Sequence, residues 1–79
     1  MADEYWKRSS VTGKKYNYFS NDIVRILNID QAAAYLKHDV ELIDIYTSYD
    51  KNKKNILVFV FDKNSSKECY DLWCKHELF

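Results

Sequence analysis

The chain has 79 residues, with 12 Lys and Arg balanced by 12 Asp and Glu, 47% apolar side chains, one Gly, no Pro and two Cys. A length of this order supports one hydrophobic core and buries only about 60% of the surface its unfolded form exposes, which leaves little room for a catalytic pocket. Zero net charge argues against a protein whose affinity comes mainly from neutralising nucleic-acid phosphates, and two cysteines five residues apart cannot build the disulfide framework of a small secreted domain.

The first 20 residues mix Ser, Thr, Lys and the single glycine with Tyr5, Trp6, Tyr16, Tyr18 and Phe19, and they show no periodicity. They read as an aromatic and basic N-terminal arm, mobile at its extreme end, preceding one domain over 21–79. They hold no apolar run of about 7 to 15 residues such as a signal peptide needs, and with the cysteine usage this predicts a cytoplasmic chain. Ile23 to Leu27 is short, β-branched and bounded by Asn21-Asp22 and Asn28, which predicts a strand.

Asp30 then precedes Gln31, Ala32, Ala33, Ala34, Tyr35, Leu36 and Lys37, a helix-forming block for which Asp30 is the expected N-cap. The helix is expected to stop at His38-Asp39, residue types that tolerate positive φ where Gly would be usual. Val40 to Tyr49 alternates, which places Ile43, Ile45 and Tyr49 on one strand face and Asp44, Tyr46 and Ser48 on the other. Asp50 to Asn55 is a polar hairpin connection.

Ile56 to Phe61 is the longest apolar stretch, far too short to span a bilayer and without alternation, as in a central strand covered on both faces. Ser65 and Glu68 have capping-box spacing, and Cys69, Leu72, Trp73 and His76 follow at the spacing of one helix face. The predicted fold is α+β: a small, mostly antiparallel three-stranded sheet in the order β-α-β-β-α, with two helices, behind the arm.

Residues able to carry chemistry are few. His38 sits at a helix end and His76 in a helix stripe, and neither has a nucleophile and an orienting carboxylate at recognisable spacing. On a helix Cys69 and Cys74 lie about 140° apart, so they cannot converge on one ion, and no further ligands complete the four that structural zinc needs. Gly13-Lys14-Lys15 lacks the upstream glycine and following hydroxyl of a phosphate loop. Asp44, Asp50 and Asp62 flank strands, the ordinary place for Asp, so no catalytic pair, metal or cofactor is expected and the chain is not expected to be an enzyme or to take a small-molecule substrate.

Charge is uneven behind the zero total: +2 over residues 1–20, −4 over 21–50 and +2 over 51–79. A strand apolar on both sides needs two covers, and two helices shield one face well; the other needs the arm, a second copy of the chain or a partner protein.

The stretch from Val24 to Trp73 resembles a family of small uncharacterised domains of phages and Gram-positive bacteria. The residues that carry the resemblance are Ala34-Tyr35-Leu36 and Phe59-Val60-Phe61-Asp62. It implies this fold and a mobile-element setting, and it brings no activity with it. His38-Asp39 departs from its pattern, where Gly is expected.

The leading expectation is a non-enzymatic interaction module that binds a host or phage protein through an open sheet face and Trp6, Tyr46 and Tyr49, with a homo-oligomer as a further partner and no membrane. The alternative is a weak single-stranded nucleic-acid binder using Trp6, Lys7, Arg8, Lys14, Lys15, Tyr16 and Tyr18, aromatics to stack on bases and cations to follow a backbone.

Overall fold

The computed structural model describes residues 6–78, so the extreme N-terminus, expected to be mobile, lies outside the described residues. Seven elements follow in chain order: β1 (Trp6–Arg8), β2 (Lys15–Asn17), β3 (Ile23–Ile26), α1 (Ile29–Lys37), β4 (Leu42–Tyr49), β5 (Asn55–Asp62) and α2 (Lys63–Cys74). β3, β5 and β4 form an antiparallel sheet in that spatial order, and β1 pairs with β2 in a separate antiparallel hairpin. The fold is α+β.

The unbroken apolar run lies in the central strand, as its composition requires. Phe59 and Phe61 turn toward the helices and pack with Ala32, Tyr35, Val40, Cys69 and Leu78, while Val58 and Val60 turn the other way and pack with Tyr16 and Ile43. Val60 and Phe61 are both fully buried, on opposite faces. Burying side chains of this size contributes about 1.5 to 3 kcal/mol each, so β5 stabilises the packing on both sides of the sheet.

Alternation along β4 is broken by a bulge. Leu42 pairs with Phe61 and Asp44 with Val60, so two residues advance on β4 while one advances on β5, and Ile43 is the extra residue. The expectation that Ile43, Ile45 and Tyr49 share a face is therefore corrected: Ile43 packs with Tyr16 and Val58 on one side, and Ile45 packs with the helices on the other. Ile43 and Asp44 are both buried.

Both helix starts lie earlier than predicted. Asn28, not Asp30, caps α1: its side-chain oxygen accepts the N–H of Asp30 at 2.9 Å and of Gln31 at 3.2 Å. Asp30 sits in the first turn, where its charge favours the helix dipole instead. Asp62, not Ser65, caps α2 and accepts the Ser65 N–H at 2.8 Å, so β5 passes into α2 without a loop. Ser65 is thereby free to accept the Glu41 N–H on its hydroxyl at 2.9 Å, tying α2 to the start of β4.

Both helices end without glycine. Asp39 (φ 61) and His76 (φ 58) take the left-handed conformation. Behind them Val40 N–H reaches Tyr35 O at 3.0 Å and Glu77 N–H reaches Leu72 O at 2.8 Å, the six-to-one bonds of a Schellman motif. His76 is thus past the end of α2 rather than on its apolar stripe, and the turn it makes brings Leu78 back into the core.

The residues of the arm carry too few alternations to announce a strand, yet 6–17 fold into a hairpin. Its turn is built by Ser9, whose N–H bonds Lys14 O at 2.8 Å and whose hydroxyl accepts the Val11 and Thr12 N–H groups at 3.1 and 3.0 Å. Gly13 closes the turn at φ 77, a conformation that makes the only glycine of the chain the appropriate residue there.

Candidate functional site

The hairpin lies on the sheet face away from the helices, held by groups the bulge and the acidic middle of the chain provide. The Thr12 hydroxyl donates to the Ile43 carbonyl at 2.6 Å, at the residue the bulge makes extra to the ladder. The Tyr16 hydroxyl donates to Asp44 Oδ2 at 2.6 Å, with Tyr16 5% and Asp44 2% exposed. Lys7 Nζ stands 3.7 Å from the same carboxylate oxygen and 3.9 Å above the Tyr46 ring, and Lys14 Nζ meets Glu41 Oε2 at 2.7 Å. The basic arm therefore lies along the acidic segment of its own chain.

Burial works to raise the Asp44 carboxyl. The hydrogen bonds from Tyr16, from Ser9 and from the Ile45 N–H, together with the Lys7 charge, outweigh it and hold Asp44 below its ordinary value. Burial, then the bond to Asp44, pushes the Tyr16 hydroxyl well above its ordinary value. Burial raises Tyr46 as well. With its oxygens taken by protein donors, Asp44 anchors the hairpin.

Of the three covers the sequence allowed for this sheet face, the arm, a second copy or a partner protein, it is the arm that covers it, so the partner surface drawn on it from the sequence is corrected. Tyr46 is half-buried beneath Lys7, with its hydroxyl 3.3 Å from that of Tyr18. Tyr49, 69% exposed, lies three residues further along β4 and faces the opposite side of the sheet by alternation, and Trp6, 55% exposed, lies on the hairpin with Lys15 Nζ 5.8 Å from its ring. The three do not form one patch.

The residues of the nucleic-acid reading are likewise spent on the chain itself. Tyr16 is inside, and Tyr18 lies between Lys7 and the Arg25 guanidinium, 4.4 Å from its centroid. Arg25 also donates to the Tyr18 carbonyl, and Arg8 donates to the Gly13 carbonyl at 2.9 Å. Among the described residues no row of open aromatics is left for successive bases.

A second place stands out on the opposite edge of the sheet. Between β3 and α2 runs a groove of about 490 Å³ with Val24, Ile26 and Tyr35 as its floor and Lys63, Lys67 and Tyr70 along its helical wall. β3 is an edge strand. The Lys63 N–H bonds the Asp22 carbonyl at 2.8 Å, continuing the ladder in which Val24 pairs with Phe61 and Ile26 with Phe59. Antiparallel pairs alternate, so Asp22, Val24 and Ile26 turn their backbone groups toward β5, and Ile23 and Arg25 turn theirs outward, beside the groove.

Nothing in the sequence announced this groove beyond the spacing of Lys63, Lys67 and Tyr70 on a helix face other than the Cys69–Trp73 stripe. Among the described residues no cluster of three or more His, Cys, Asp or Glu is placed to hold a metal, and no helix is long and apolar enough to cross a membrane. Comparison of the chain with family models, with curated proteins and with solved structures finds no match.

Proposed function

We propose that the chain is a non-catalytic protein-interaction module that takes up an extended segment of a partner protein as an added strand along β3. The observation that carries this reading is the outward backbone of Ile23 and Arg25 directly beside an apolar-floored groove. Strand addition needs both parts: main-chain groups supply affinity, and pockets beside the edge receive alternate side chains and supply selectivity. The far edge is a poorer template, because β4 is bulged at Ile43 and the Ile43 carbonyl is taken by Thr12.

The reading is tested by selecting extended peptides from a displayed random library against the whole chain and mapping them by amide chemical shifts. Shifts concentrated at Ile23, Arg25 and the outer face of α2 are the expected result. A library that yields no binder, or binders that shift only the hairpin, refutes it.

A further inference from the structure

Resting on the edge reading, we infer that the segment accepted at β3 is acidic at one position and apolar two residues further along. α2 and β3 start at the same end of the groove, because the Lys63 N–H is bonded to Asp22 O. From there Lys63, Lys67 and Tyr70 follow along the helix, and Val24 and Ile26 along the strand, and all five line the groove.

The spacings agree. Lys63 to Tyr70 is about 10.5 Å at 1.5 Å per helical residue, and Ile23 to Ile26 is about 10 Å at 3.3 Å per strand residue. Lys63 therefore stands at the Ile23 end, Lys67 about 6 Å further along, and Tyr70 at the Ile26 end. An added strand that turns alternate side chains toward the helices presents them about 6.6 Å apart. A side chain placed between the two lysines, about 3 Å along, sets the next at about 9.6 Å, beside Tyr70.

Neighbouring charges favour the same order. Arg25, whose guanidinium donates to the Tyr18 carbonyl, Lys63 and Lys67 line the groove against a single lining carboxylate, Asp71, while Asp22 and Asp62 stand at the Lys63 end with Asp62 capping α2, so the lining is cationic on balance. Asp71 lines the groove one residue beyond Tyr70, and it opposes a second carboxylate there. The occupant assigned is thus a carboxylate-bearing extended peptide with an aliphatic residue at the next inward position, not a basic one.

The test titrates the full chain with a capped peptide repeating Thr-Glu-Thr-Ile, read by amide chemical shifts. Two comparison peptides are used: one with Lys in place of Glu, and one of the original sequence N-methylated on alternate backbone nitrogens. The expected result is binding at Ile23 and Arg25, about fivefold or more weaker for the Lys peptide and lost on N-methylation. Lys67→Glu, an exposed change on a folded chain, is expected to remove the preference.

Equal binding of the Glu and Lys peptides at β3 overturns the acidic assignment and leaves the edge reading standing. No binding by any peptide, or undiminished binding of the N-methylated one, overturns both. Shifts at Ile23 and Arg25 that grow with protein concentration in the absence of peptide name a second copy as the occupant and overturn the assignment.

Discussion

Replacing Tyr16 by Phe removes one hydroxyl and leaves the ring in place among Ile43, Val58 and Val60. That hydroxyl donates at 2.6 Å to a carboxylate that is 2% exposed, so its loss strips a buried charge of one of its donors while Ser9, the Ile45 N–H and Lys7 remain. A hydrogen bond to a charged group is worth about 1.5 to 3 kcal/mol, and about 2 kcal/mol is expected here. In a domain of this size that corresponds to a melting temperature lower by roughly 8 to 16 °C.

The pH dependence gives the prediction a second handle. Asp44 is held below its ordinary value, so its ionised form contributes stability that is fully present above the unfolded carboxyl value near about 4 and is lost as pH falls through the lower folded value. Tyr16→Phe removes one of the bonds that lowers Asp44, so the variant has less of this stability to lose. The gap between the two proteins is therefore expected to narrow on acidification below about pH 4. Urea unfolding at several pH values, followed by tryptophan fluorescence, measures it. A cost under about 0.5 kcal/mol at neutral pH, or a gap that does not change with acidification, would refute the reasoning.

Three further outcomes are expected. Asn28→Ala should cost about 1 kcal/mol by chemical denaturation and Asp30→Ala clearly less, because only Asn28 satisfies orphan N–H groups; the reverse order would restore Asp30 as the cap. Lys53, at φ 62 in the β4–β5 turn, should gain about 0.5 to 1 kcal/mol on replacement by Gly, whereas Gly13→Ala should cost about 1 to 2 kcal/mol although no atom lies within 4 Å of the added methyl; calorimetry that shows no opposite signs contradicts this. Tyr16 titrates above its unfolded value in the folded chain, so the stability it confers is complete below about pH 10 and declines as pH rises beyond, and Tyr16→Phe should flatten that alkaline decline in thermal melts.

The legible parts of the fold are those where local pattern and burial agree. Ile56 to Phe61 could be read as a central strand because six apolar residues without alternation leave no solvent face, and Phe61 and Val60 lie buried on opposite sides. The stop of α1 at His38-Asp39 was legible from tolerance of positive φ alone, and Asp39 adopts φ 61. The caps were misread for one reason: each helix starts at the first side chain able to take two roles, ending the preceding segment and accepting the orphan N–H groups. Asn28 and Asp62 do both, and Asp62 also closes the Phe59-Val60-Phe61-Asp62 motif as a cap.

The candidate site was much less legible. Trp6, Tyr46 and Tyr49 were expected to serve one partner although the alternation of β4 already sets residues 46 and 49 on opposite faces, and only the structure shows that Lys7 roofs Tyr46. The groove depends on the lateral spacing of α2 and β3, which join only through Lys63 and Asp22, and no local periodicity encodes that distance.

Composition and periodicity by themselves determined an α+β fold around a doubly buried strand, the two helices and the polar hairpin turn, because each follows from propensities and patterns within a few residues. Only the tertiary structure decided what covers the second face. The bulge at Ile43 exposes a carbonyl to Thr12 and turns Asp44 inward, and the arm then supplies Tyr16 and Lys7 to satisfy it. Those contacts join residues about 30 positions apart, and their energy comes from satisfying a freed backbone carbonyl and a buried carboxylate, requirements that exist only once the sheet has formed.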